Sequence, residues 1–199
     1  MTRYSYFFSV AFVLLLMSQL FMAYRTSRIE SPNYEVVKSF ENFEIRNYDA
    51  MVLAQTQMNS NVYEETSSMG FKTIANYIFG GNKENQKIAM TSPVIMEMGE
   101  SSKMSFVMPK EHSFENLPEP NSERVELIQI QPKTYAVLEF TGFANDKKIQ
   151  THSKRLLQFL KSERLTPVGN MKYLGYNPPW QVLGRKNEVA VEVRYSPKL

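Results

Sequence analysis

The 199-residue chain contains no cysteine. That absence excludes disulfides, thiol nucleophiles, zinc–thiolate centres, iron–sulfur clusters and covalent c-type haem attachment. An exported form would have to be stable by packing alone. Histidine is scarce: His112 and His152 are the 2 in the chain, and neither stands at a familiar metal-ligand spacing. His112 lies in the polar stretch P-K-E-H-S-F, which predicts an exposed side chain. His152 falls on the apolar side of a helical pattern, which predicts a partly buried, satisfied imidazole. An excess of one charge is also missing. Setting aside Arg3, Arg25, Arg28 and Glu30 from 23 basic and 20 acidic residues leaves 20 against 19. With no Lys/Arg cluster interleaved with aromatics, nucleic acid is not an expected partner.

Catalytic signals are equally thin. No nucleophile–base–orienter set can be assembled, so no catalytic residue is assigned. Glu64 and Glu65 are neighbours and diverge on a helix. A strand glutamate such as Glu97 or Glu139 could act as a general base only if a pocket enclosed it. Gly80-Gly81-Asn82 follows a helix instead of preceding one, and no G-K-[ST] comes after it. It is therefore not a phosphate loop.

One long apolar run is present. Phe7 to Ala23 carries no charge, with Arg3 before it and Arg25 and Arg28 after. As a helix its 17 residues reach about 26 Å at ~1.5 Å each, and Tyr4, Tyr6 and Tyr24 as interfacial anchors bring it to spanning length. Residues 1–24 therefore read as an uncleaved signal-anchor, with a cleaved signal peptide and a buried helix of the domain as alternatives. Cleavage after Ala23 would place Phe21 at the −3 position, where a small residue is wanted. The expectation is a membrane-anchored protein whose domain lies on the extracytoplasmic side, periplasmic or lumenal, or a secreted one if the segment is cut. Residues 25–33 read as a short polar linker, and residues 34–199 as one domain.

Within that domain Tyr34–Phe40, Phe43–Tyr48 and Met51–Met58 read as strands. Val62–Phe79 turns to helical spacing, with Asn59, Ser60 or Asn61 as caps and Gly80-Gly81 as the stop. Met96, Met98, Met104 and Met108, four of 12 methionines, alternate along a hairpin and read as core filling. The pattern then repeats: strands Val125–Ile130 and Thr134–Thr141, an amphipathic helix Ile149–Leu160, and strands Met171–Tyr176 and Val189–Tyr195. Setting Tyr48 against Pro132 aligns Val52 with Ala136 and Ala54 with Leu138. The fold class is α+β: two pseudo-repeated β-β-α-β-β halves form a curved antiparallel sheet or distorted open barrel, with two helices packed on it.

Five motifs in order, Y-I-F-G-G-N (Tyr77–Asn82), K-I-A-M-T-S-P-V (Lys87–Val94), F-V-M-P (Phe106–Pro109), G-Y-N-P-P-W (Gly175–Trp180) and R-K-N-E-V (Arg185–Val189), resemble the SOUL, or haem-binding protein, family. The resemblance implies a barrel of two similar halves and reversible, non-covalent binding of haem b or another tetrapyrrole, as carrier or buffer. It also implies a site on the outward face of the first domain helix, with Ser68, Phe71, Ala75 and Asn76 facing Tyr176 and Lys72 as a propionate partner. Phe71 and Ala75 fit a helix–sheet core equally well. Some relatives carry an axial histidine in E-I-R-H-Y; here Asn47 stands in that place, so no metal ligand is assigned. A pocket for another small apolar effector is the alternative, and a hydrolase on the same scaffold a more remote one. Asn177-Pro178-Pro179-Trp180 reads as a rigid turn, either a pocket lip or a barrel corner packed by Trp180. Arg185, Asn187 and Glu188 read as ties between the last strand and that turn.

Overall fold

The structure is a computed structural model that describes residues 2–26, 28–60, 62–99 and 101–196. Three helices, α1 (Thr2–Thr26), α2 (Tyr63–Ile78) and α3 (Asp146–Ser162), accompany nine strands. The strands are β1 (Tyr34–Ser39), β2 (Glu44–Tyr48), β3 (Met51–Gln57), β4 (Val94–Met98), β5 (Lys103–Val107), β6 (Glu126–Ile130), β7 (Lys133–Thr141), β8 (Pro167–Gly175) and β9 (Lys186–Val193). They form one antiparallel sheet in the order β1-β2-β7-β9-β8-β4-β5-β3-β6. That order exposes the duplication. Reading outward from the central β8–β4 pair, β9 answers β5, β7 answers β3 and β2 answers β6. Each half lends its first strand to the other: β2 pairs with β7 and β6 with β3. With the central β4–β8 pair, three ladders join the halves, and they cannot separate without breaking all three.

Strand alternation sends successive side chains to opposite faces. On one face Ile45, Ala54, Met96, Met104, Phe106, Tyr173, Val189 and Val191 pack under α2 and α3. Ile74, Tyr77 and Ile78 supply α2's buried side, and Ile149, Leu156 and Leu160 that of α3. Each such fully buried Leu or Ile contributes about 1.5–3 kcal/mol. The methionine hairpin is as expected, with Met96 opposite Met104. The His152 ring stacks on Phe140 of β7 at 4.2 Å while Nδ1 contacts the Lys148 carbonyl.

The start of α2 is capped from far away. Val62, the preceding residue, offers no side-chain cap. Instead Asp146 at the start of α3 accepts the amides of Tyr63, at 2.8 Å, and Glu64. Ser60 accepts the Val62 amide, short of the helix proper, and Asn61 lies outside the described residues. The carboxylate thus meets the positive ends of two helices. At the other end Gly80 takes φ +109° and Gly81 packs so closely on Asn76 that a Cβ would lie 2.6 Å from its carbonyl oxygen. Buried Asn82 then holds the loop together. Its amide nitrogen donates to the Tyr77 and Gln86 carbonyls and its oxygen accepts the Gln86 amide. The Y-I-F-G-G-N stretch is a structural joint.

The segment read as a linker is strapped to the sheet. Glu30 accepts the Ser92 amide through its carbonyl and the Lys110 amide through its carboxylate, and Asn33 accepts the Asp49 amide. Ahead of it, Phe7–Thr26 is long and apolar enough to cross a membrane, by length and composition.

Candidate ligand-binding site

The sheet face that the helices leave uncovered curls around a half-open groove of about 310 Å³. Eight of the nine strands line it, all but β1, together with Pro32 and Pro93. Each strand contributes alternate residues: Met51, Leu53 and Gln55 from β3; Ile128 and Ile130 from β6; Lys133 and Tyr135 from β7; Lys172 and Leu174 from β8; Ala190 and Glu192 from β9. Ile95 and Leu174, opposite one another on the central strands, lie where the two halves meet. The volume is at the small end of the ~300–1,000 Å³ usual for ligand pockets.

Charge in the groove is arranged in pairs with one left over. Lys133 meets Glu192 at 2.5 Å. Lys172 pairs with Glu97, which also accepts from the Asn170 amide. Burial alone would raise the Glu97 carboxyl. Lys172, Asn170 and nearby Lys103 together outweigh it and hold that carboxyl below the ordinary carboxylate range. Among the described residues half-buried Lys103 has no ion pair or hydrogen bond from its ammonium. It is the cation free to meet an anionic ligand group.

A buried polar network reaches the groove through Tyr48. Glu188, wholly buried, accepts from Arg46 at 2.9 Å, from the Tyr176 hydroxyl at 2.6 Å and from Lys186 at 3.0 Å. Arg46 also binds Glu44 and donates to the Tyr48 hydroxyl, and its guanidinium lies over the Tyr34 ring. Burial, then the Glu188 charge, pushes the Tyr48 phenol up to about 12. Burial likewise raises Tyr135, helped by Glu192 and Glu97. The sequence suggests Glu188 as a tie between the last strand and the Gly175–Trp180 turn, which its bond to Tyr176 provides, but not its partner Arg46. The alternation of E-I-R-N-Y and K-N-E-V-A already placed both on the face that carries Tyr48 and Ala190.

The structure divides the residues that the resemblance singled out. Ser68, Phe71, Lys72, Ala75 and Asn76 all lie on α2. Ser68, Lys72 and Asn76 are exposed, Phe71 is at the margin of exposure against Phe106, and Ala75 points into the core. Tyr176 is not across from them. Its hydroxyl is on Glu188 and its ring packs with Tyr48, Leu174 and Ala190, so the whole sheet separates it from α2. The physical reason is period-2 facing: Lys172 and Leu174 of β8 point to the groove, and Tyr176, two residues on, follows them to the face opposite α2.

The histidines also divide. His152 is partly buried as expected. His112 is not the exposed side chain that its polar context suggested; only 11% of it is accessible. It lines a separate polar recess of about 240 Å³ with Glu30, Asp49 and Lys110, beside the groove. Neither imidazole lines the groove itself. Asn47 is exposed on the outer side of β2 and accepts from Thr134. Trp180 does not pack a corner, being 61% exposed. Arg185 ties the turn as expected, donating to the Pro178 and Gln181 carbonyls at 2.7 Å.

The groove suits a planar apolar molecule with a carboxylate edge. Apolar walls take the body and Lys103 the anion, while the candidate iron ligands lining it are Tyr48, Met51 and Tyr135.

Comparison with known proteins decides the family. The family model described as SOUL heme-binding protein matches residues 29–192. The chain belongs to the SOUL family. Among its relatives, human heme-binding protein 2 is 29% identical over 157 residues, covering 74% of this chain and 76% of the relative. Mouse heme-binding protein 2 is 28% identical over 174 residues, covering 81% and 84%. Heme-binding protein 1 of Xenopus laevis is 24% identical, covering 74% and 81%. Solved structures share the fold at much lower identity. The EcmrR C-terminal domain superposes with a TM-score of 0.59 at 8% identity, covering 82% of this chain and 99% of that one. A hydrolase from Listeria innocua gives 0.58 at 10% identity, covering 79% and 94%. At such identities the SOUL chain shares architecture with these proteins and nothing more.

Proposed function

We propose that this SOUL protein binds haem or a related tetrapyrrole reversibly and non-covalently in the groove of its sheet, as a carrier or buffer. The observation that carries the proposal is the pairing of an apolar groove with a cation, Lys103, that has no ion pair or hydrogen bond among the described residues, in a family whose relatives are named for haem binding. Apolar burial provides affinity and Lys103 selects a carboxylate, with no strong axial histidine bond required. Glu97 is engaged by Lys172 and Asn170, which lower its basicity and make it a weak general base, and this favours binding over hydrolysis.

Titration of the purified chain with hemin and with iron-free protoporphyrin IX tests this. Both should saturate with similar affinity, and Lys103→Ala should weaken both about tenfold, equivalent to ~1.4 kcal/mol. Absence of any saturable Soret change, or binding of the iron form alone, would overturn it. If another apolar compound raises the melting temperature where hemin does not, the groove serves a different effector.

A second reading keeps the tetrapyrrole on α2. Met69, 60% exposed, and Phe71 offer apolar surface beside Lys72. Phe71→Ala with Lys72→Ala would then carry the loss that the first reading assigns to Lys103→Ala.

We also read α1 as an uncleaved membrane anchor with the domain on the extracytoplasmic side, supported by the 20-residue apolar stretch Phe7–Thr26. The chain should remain in membranes after alkaline carbonate washing; release into the supernatant would sink the anchor.

A further inference from the structure

The β8–β9 connection presents apolar side chains outward from a rigid frame. Trp180, Val182 and Leu183 are 61%, 55% and 41% exposed. The loop carrying them is fastened at several points. Arg185 donates to the Pro178 and Gln181 carbonyls, Asn177 accepts the Lys186 amide, and Gln181 donates to the Leu183 carbonyl. Three large apolar groups held in water by a built scaffold call for a partner.

Helix α1 says what that partner is. The Val182 amide donates to Gln19 Oε1 at 2.9 Å. On the last two turns of α1, Gln19, Met22, Ala23 and Thr26 are half-buried while Leu20, Phe21, Tyr24 and Arg25 are exposed. That spacing of three, four and seven is one helical stripe, so this stripe packs against the domain. Gln19 precedes Thr26 by seven residues, about 10 Å along the axis at ~1.5 Å per residue. The loop therefore meets α1 inside the apolar stretch, below its end. Gln19 is the polar side chain that accepts the Val182 amide there, and satisfying an amide within the chain is what a lipid environment demands. Above it, the Arg25 guanidinium lies over the Phe21 ring and that of Arg28 over the Tyr24 ring, an arrangement suited to the headgroup level.

We infer that the Trp180–Leu183 loop inserts into the same bilayer leaflet that receives the C-terminal end of α1, docking the domain on an anionic phospholipid surface. The inference rests on the reading of α1 as a bilayer span and is independent of what the groove binds. Two contacts, helix and loop, fix the orientation of the domain where a single tether would leave it free to swing. Trp insertion at the interface is the expected chemistry for an amphipathic ring.

Trp180 is the sole tryptophan, so the fluorescence of the full chain reports on this loop alone. The chain is reconstituted in phosphatidylcholine–phosphatidylglycerol vesicles with brominated acyl chains. Trp180 emission should shift to the blue, be quenched by the bromine and be shielded from aqueous iodide. The double variant Val182→Glu, Leu183→Glu should lose most of the bromine quenching and still pellet with carbonate-washed vesicles. A wild-type chain that stays in the washed vesicles with Trp180 open to iodide and untouched by bromine would overturn the inference and leave the anchor standing. A chain that washes off overturns both. Hemin titration in detergent separates either failure from that of the groove.

Discussion

Arg46 on β2 and Glu188 on β9, 142 residues apart in the chain, meet at 2.9 Å with the whole of β7 between their strands. The pair is buried, and Tyr176 and Lys186 share the carboxylate. Burial would lower the Arg46 guanidinium, but the Glu188 charge and the phenol of Tyr48 outweigh it and hold the guanidinium above its ordinary range. The contact joins the two halves of the fold and supports Tyr48, which lines the groove.

Breaking that pair should be costly because the buried guanidinium loses its buried carboxylate and keeps only the more exposed Glu44. Glu188→Ala is expected to lose about 3–5 kcal/mol of unfolding free energy, read from urea denaturation at neutral pH. The double variant Arg46→Met, Glu188→Leu should be more stable than Glu188→Ala, since no charge is left stranded. A Glu188→Ala chain as stable as wild type would contradict the assignment.

Much of this architecture was legible in the sequence, for a physical reason. The methionines of the β4–β5 hairpin alternate cleanly, and the match of Val52 with Ala136 and Ala54 with Leu138 reveals the repeat. Residues in contact along one element obey local periodicity. The exchange of first strands between halves, the capping of α2 by Asp146 from 83 residues away and the seating of Tyr176 on Glu188 depend on long-range packing. None has a local signature. The groove was the largest omission. Its lining mixes apolar residues such as Leu53, Ile95 and Leu174 with charged ones such as Glu97 and Lys172, and their convergence exists only once the sheet curls. His112 was misjudged likewise, because its polar neighbours form a recess over it.

The Glu97–Lys172 pair predicts an acid limb to stability. Because the folded carboxyl is held below its ordinary value, its contribution is fully present above the unfolded pKa of about 4.3. It is lost as pH falls through the folded value. Glu97→Gln should therefore be less stable than wild type at neutral pH, with the difference shrinking at an acid pH below the folded value, where the wild-type carboxyl is protonated. Urea unfolding at the two pH values measures it. A gap that widens on acidification would show that the pair is not stabilising the ionised form.

The histidines should be spectroscopically silent. His112 lies in the recess beside the groove and His152 under Phe140 on the helix-bearing face. His112→Ala and His152→Ala are each expected to leave the Soret maximum of the hemin complex in place. A shifted or weakened Soret band in either variant would identify an axial ligand and move the iron away from the groove.

The most direct measurement blocks the groove itself. Ala190 lines it between the Tyr135 and Lys172 strands, and Ala190→Phe projects a ring into the space while leaving α2 untouched. Hemin titration of this variant, alongside Ile130→Trp as a second filling at the other side and Phe71→Ala, Lys72→Ala as the α2 comparison, tests where the tetrapyrrole goes. Both filled variants should bind at least about tenfold more weakly, ~1.4 kcal/mol, while the α2 variant binds as wild type. Filled grooves that titrate like wild type, with binding lost in the α2 variant, would contradict the account.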